Sequence, residues 1–163
     1  MKEVERIADQ LRRAHEGGAW HGPSVRELLA GVTAEQAEAR PFEGAHNIRE
    51  LVEHMEAWER AVLRRLGGDP ARIYKTEEDW APARDEGEDA WQRAQQKLAD
   101  TDEALREALL RLDDAQLDEP ILADMSSRYV SLHGAVQHTL YHAGQIALLK
   151  KALGLKTPPT DAD

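Results

Sequence analysis

A chain of 163 residues with no cysteine and a formal net charge of −10 predicts a single domain, spanning 1–163, whose core forms without disulfides. The acidic balance argues against nucleic acid as a main partner, because a phosphate backbone is bound by clustered Lys and Arg. No stretch approaches the ~20 apolar residues of a membrane span, and the charged start, MKEVERIADQLRRAHEGG, has no apolar signal-peptide core, so a soluble cytoplasmic protein without a membrane partner is predicted.

The pattern is helical almost throughout, rich in Ala, Leu, Glu, Arg and Gln and poor in alternating β-branched runs. A first helix is predicted over 2–15 and is broken by EGGAWHGP. Ser24 then caps a short helix, VRELLAG, and Thr33 caps another, AEQAEAR. A second long helix is predicted over 47–66, with Ile48, Leu51, Val52, Met55, Trp58, Val62, Leu63 and Leu66 on one stripe. Gly67 and Gly68 end it. The stretch from there to Gly87 is long for a loop, a length typical of functional lids. Its acidic part, KTEEDWAPARDEGEDAW, reads as solvated, while Tyr74 and Trp80 predict that part of it packs down at a pocket entrance.

A third long helix is predicted over 89–112, with Trp91, Leu98, Leu105, Leu109 and Leu112 inward. A last helix is predicted over 131–153, stopped by Gly154, with 154–163 a frayed tail. Four long amphipathic helices in one chain predict an all-α fold, a four-helix bundle. The four tryptophans, Trp20, Trp58, Trp80 and Trp91, read as core and loop anchors.

The chemistry lies in the histidines. His138 and His142 are one helical turn apart, so their side chains share a face and can bind one ion. The spacing alone is weak, since shuffling seven histidines produces such a pair roughly one time in four. Position adds weight. Both lie at the edge of an apolar face made by Leu132, Ala135, Val136, Leu140, Ala143, Ile146 and Leu149, with charged Lys150 and Lys151 only in the final turns. His54 occupies the same kind of border, ~40° beyond Trp58 on the second long helix. Border histidines on two packed helices converge in bundle cores, where metal sites are built. Three neutral imidazoles suit Zn²⁺, Ni²⁺ or Fe²⁺ and leave positions open for water or substrate. The same pattern also fits plain hydrogen-bonded border histidines.

The other histidines read differently. His15 precedes the helix-breaking glycines and is predicted to be exposed, and His21 either lines a pocket or packs. His46 caps or packs at a helix start, with a ligand role as the alternative. His133 lies ~140° round the helix from His138, which keeps it from the same ion. Gln145, about one turn after His142, is a candidate partner for a ligand ring. There is no nucleophile elbow, phosphate loop or HExxH. Glu50 and Glu53 face away from His54, so no general base is evident.

Three segments in order, WHGPSVRELLAGVTAEQAEARP, GAHNIRELVEHMEAWE and LHGAVQHTLYHAGQIALLKK, resemble the DinB/YfiT-like superfamily of metal-dependent enzymes. The likeness runs over nearly the whole chain, and HxxxH followed by AGQIALL is its most specific part. It implies a four-helix bundle with one histidine ligand on the second long helix and two on the last, which by motif are His54, His138 and His142. It also implies a divalent transition metal, zinc or nickel above all, and a homodimer. Some relatives are thiol-dependent S-transferases or isomerases, which implies a small-molecule substrate and a low-molecular-weight thiol partner. Arg49 and Glu53 depart from the larger apolar residues of this branch, away from the metal-facing side, which bears on the dimer contact. The functional expectation is a metal-dependent hydrolase or thiol transferase, with a non-catalytic metal- or ligand-binding bundle as the alternative.

Overall fold

The computed structural model describes residues 1–156; most of the predicted tail, 157–163, lies outside the described residues. Helix α1, Glu3–Glu16, buries Val4, Ile7, Leu11 and Ala14, an i, i+3, i+4 spacing that puts all four on one stripe. Two short helices follow, α2 (Val25–Leu29) and α3 (Ala34–Glu38). Each starts at a reciprocal cap. The Ser24 hydroxyl accepts from the Glu27 amide while the Glu27 carboxylate accepts from the Ser24 amide, and Thr33 and Gln36 do the same.

Helix α4, Ile48–Leu66, is capped by Asn47 and Glu50 in the same way and ends at Gly67. Helix α5 spans Glu88–Leu110, and a 3₁₀ turn at Asp114–Asp118 leads towards α6, Arg128–Ala152. Helix α6 starts three residues before the apolar pattern predicts. Ser127 accepts from the Val130 amide and caps it, so its first turn carries exposed Tyr129 and Val130 ahead of the buried stripe that begins at Leu132.

Helices α4 and α1 each pack against both α5 and α6. The four long helices therefore form a ring in which α1 faces α4 across the core. The interior holds one apolar cluster around Leu28, Ile48, Leu51, Met55, Trp91 and Ile146, and a second around Ile7, Leu11, Leu105, Leu109 and Leu132. Each fully buried side chain of this size stabilises the fold by roughly 1.5–3 kcal/mol. Trp91 also donates its indole N–H to the Val32 carbonyl at 2.7 Å, which fastens the short helices to α5. Among the described residues no helix is long and apolar enough to cross a membrane.

Two expectations are corrected, at His15 and at Trp20. His15 is buried, not exposed: only 6% of it is accessible, because the last turn of α1 points it across the core to Glu59 at 2.7 Å. Trp20 anchors nothing and is 90% exposed, since the turn around Gly22 holds it outside the bundle. Lys150 is buried as well, and its ammonium donates to the Leu28 carbonyl at 2.6 Å, satisfying the end of α2.

The connection 67–87 is held down from below. Arg49, 3% exposed, donates to Glu38 at 2.7 Å, to Glu53 at 3.1 Å and to the Asp85 carbonyl at 2.5 Å. The two residues that depart from the apolar pattern of the branch thus hold an intramolecular anchor. Ala71 and Ile73 pack on Ala57 and Ala61 of α4, while Tyr74, expected to pack down, stays in solvent.

Candidate metal centre

Helix α4 supplies His54, and α6 supplies His138 and His142, from the two faces that pack together. Their Nε2 atoms converge: His54 to His138 is 3.1 Å, and His138 to His142 is 3.1 Å. Two imidazole nitrogens bound to one ion at about 2.0–2.1 Å lie roughly 2.9–3.4 Å apart. The spacing is therefore that of a shared ligand set.

The neighbours of the rings settle where the lone pairs point. His54 Nδ1 lies 2.6 Å from the Asp79 carbonyl, which can only accept, so Nδ1 carries the proton. His142 Nδ1 lies 2.7 Å from Gln145 Oε1 and is protonated for the same reason. In neutral rings of this tautomer Nε2 is bare. Two lone pairs thus face His138 Nε2, which can donate to only one of them. Contacts between nitrogens at this distance are resolved when all three lone pairs meet a cation. Gln145, which the sequence marks as a partner, holds His142 as expected.

Burial keeps the rings neutral. His138 is pushed down to about 3, first by burial and then by the neighbouring His142 and His54. His142 is lowered mainly by burial, against the bond to Gln145. His54 is also lowered mainly by burial, against the carbonyl and charge of Asp79. Neutral imidazole is the metal-binding form.

The sequence predicted that Trp80 packs down at a pocket entrance, but not that its segment positions His54. Trp80 is stacked between two imidazoles, 3.5 Å from the His46 ring and 3.7 Å from the His54 ring, both nearly parallel. Asp79, next to it, is buried and accepts from Trp58 Nε1 at 2.9 Å and from the Lys75 amide at 3.0 Å. Lys75 reaches it from the left-handed region, at φ 58°, a conformation that a non-glycine residue holds only when its surroundings repay the strain. His46 is oriented in turn by Glu50 at 3.0 Å. The acidic segment therefore contains a packed lid over one edge of the site. Its signal was the single Asp-Trp pair in a run otherwise read as solvated.

The remaining histidines stay apart. His133 lies near Glu3 and Tyr129, and His21 is exposed. Glu50 and Glu53 border the same cavity as His54, where they are engaged by Arg40 and Arg49 respectively.

The DinB superfamily matches residues 18–146 of this sequence. The chain belongs to the DinB superfamily. The match spans α2 to most of α6 and includes all three converging histidines. A crystal structure of a conserved protein from Enterococcus faecalis has the same fold, with a TM-score of 0.69 at 18% identity, covering 94% of this chain and 99% of that one. No curated protein matches the chain. This DinB-superfamily protein therefore combines a shared helical bundle with a three-histidine cluster that can hold a divalent ion.

Proposed function

We propose that His54, His138 and His142 bind one divalent transition metal ion and that the site acts on a small molecule, as a hydrolase or a thiol transferase. The observation that carries this reading is the convergence of three Nε2 atoms, 3.1 Å apart in two pairs, with Nδ1 of two rings tied to acceptors. A neutral nitrogen-only set suits zinc, nickel or ferrous iron. When bound, such an ion supplies Lewis acidity, lowering the pKa of water or a thiol towards neutrality.

The chain's own residues do the rest. Asp79 and Gln145 fix the ring orientations, and Trp80 shields the His54 face from solvent. Among the described residues, the carboxylate in direct contact with His54 is that of Asp79, and each of its oxygens already accepts a hydrogen bond. That favours a nucleophile that ionises readily, a thiol, over water activated by a separate base. It also supports the second reading, a bundle that binds metal or ligand without turnover.

Elemental mass spectrometry of untagged wild-type protein beside His138→Ala tests the proposal. About one zinc, nickel or iron per chain, lost in the variant, is the expected result. No metal in either protein after incubation with Zn²⁺ and Ni²⁺ would sink it. With metal present, a panel of thiols and hydrolysable esters separates enzyme from binding protein.

A further inference from the structure

A cavity of about 250 Å³ reaches the three-histidine cluster at His138, between α4 and the start of α6. Its walls include Trp58, Val62 and Ala135, and its polar groups are Arg65, Ser126 and Ser131. The volume is below the 300–1,000 Å³ of drug-sized pockets, so it suits a single ring or a short chain.

Arg65 stands out. Most arginines of this acidic chain sit against a carboxylate, including its neighbour Arg64. Arg65 forms no ion pair among the described residues. Its Nε is tied to the Ala71 carbonyl at 2.7 Å, which fixes the guanidinium plane, and its Cζ lies 5.8 Å from the Trp58 ring. Burial, and then the nearby Arg72, works against its charge. A half-buried cation of this kind is relieved by an anion, and a guanidinium fixed at Nε presents its remaining N–H groups as a fork for a carboxylate. Trp58 is also the link to the histidines, its ring 5.7 Å from that of His138. A molecule lying along Trp58 with its charge at Arg65 presents its other end to His138. Ser126 and Ser131, hydroxyl to hydroxyl at 3.0 Å, share one hydrogen bond and leave one O–H free to donate. Glu59 borders the same cavity, but its carboxylate is buried and turned to His15 and Thr139.

We propose that this cavity is the substrate pocket and that Arg65 selects small organic acids, holding a carboxylate while Trp58 carries the apolar body towards His138. This rests on the three-histidine cluster being the reactive site.

The test is calorimetric titration with benzoate and with benzamide, its neutral counterpart, on as-isolated and chelator-treated protein. Wild type, Arg65→Gln and Arg65→Lys are compared, with folding checked by near-UV circular dichroism and metal content measured alongside. Benzoate binds chelator-treated wild type about 10-fold or more tighter than benzamide, as for charge-assisted hydrogen bonds. Arg65→Gln removes the difference and Arg65→Lys keeps part of it. Benzoate binding that survives Arg65→Gln, or that needs the metal and ignores Arg65, overturns the proposal. An Arg65-dependent preference in a protein that holds no metal under any condition leaves the anion pocket standing and removes the metal reading instead, so the two failures are distinct.

Discussion

The three candidate ligand histidines depend on groups that never touch the shared point. His142 is set by Gln145 one turn on, and His54 by a backbone carbonyl from a loop 25 residues later in the chain. The first partner lies on the same helix and was legible from spacing. The second was not, because a carbonyl carries no residue-type signal. Removing such a partner lets the ring rotate and return to the wrong tautomer. Gln145→Leu is therefore expected to weaken metal affinity roughly 10- to 100-fold. Competition with a chromogenic chelator measures this. An unchanged affinity would show that packing alone orients His142.

Among the elements, α4 joins the site to the lid. It carries His54 and Trp58, and its N-cap lies beside the His46–Trp80 stack. Asn47 accepts from the Glu50 amide at 2.8 Å and donates to the Glu38 carbonyl at 3.3 Å, joining α3 to α4. Asn47→Ala is expected to cost about 1 kcal/mol, the usual worth of a cap of this type. In urea unfolding the midpoint falls while the slope stays the same. Metal content should be unchanged, since His54 lies almost two turns further in. The boundaries of α1, α4 and α5 were readable to within two residues because caps and glycines mark them. That of α6 was misread because the apolar stripe begins later than the cap.

The whole molecule is tied together by a buried polar network. His15 of α1 meets Glu59 of α4 at 2.7 Å, Thr139 of α6 donates to the same carboxylate at 2.9 Å, and Asp102 of α5 lies 3.8 Å from His15. Arg106 closes it, donating to Asp102 at 2.9 Å and to Glu16 at 2.7 Å. One oxygen of Glu59 and one of Asp102 have no hydrogen-bond partner among the described residues, so the network is held by charge balance more than by saturation. Burial opposes the charged form of His15, yet Glu59 and then Asp102 outweigh it and raise its pKa above the ordinary value. Asp102 is raised mainly by burial. A raised histidine holds its proton more tightly when folded. Its stabilising contribution is full below about pH 6.5, the unfolded value, and fades as pH rises through the folded value. His15→Ala leaves the buried Glu59 charge with only the Thr139 hydroxyl as partner, and below pH 6.5 it is expected to lose about 3 kcal/mol. That deficit shrinks as pH rises past the folded pKa of His15. Chemical denaturation of both proteins across pH 5 to 9 checks the sign, and a constant difference would exclude a titrating His15.

The sequence by itself determined the elements and the identity of the candidate ligands. Helix periodicity, caps and border positions are local properties, and a helix forces residues four apart onto one face. His54, His138 and His142 could therefore be named before any fold was known. Everything that depends on contacts between distant segments was decided only by the tertiary structure. His15 looked like an exposed helix end because its partners, Glu59 and Asp102, lie on other helices. Trp80 was expected to pack down within a solvated acidic run, but what it packs on was not legible, because its stacking partners, His46 and His54, come from a different part of the chain. Arg65 carries no signal in the sequence, and only the packing of α4 beside α6 leaves it, among the described residues, without a carboxylate above Trp58. In each case the energy that fixes the side chain, from desolvation, stacking or charge, arises when segments far apart in sequence are brought together.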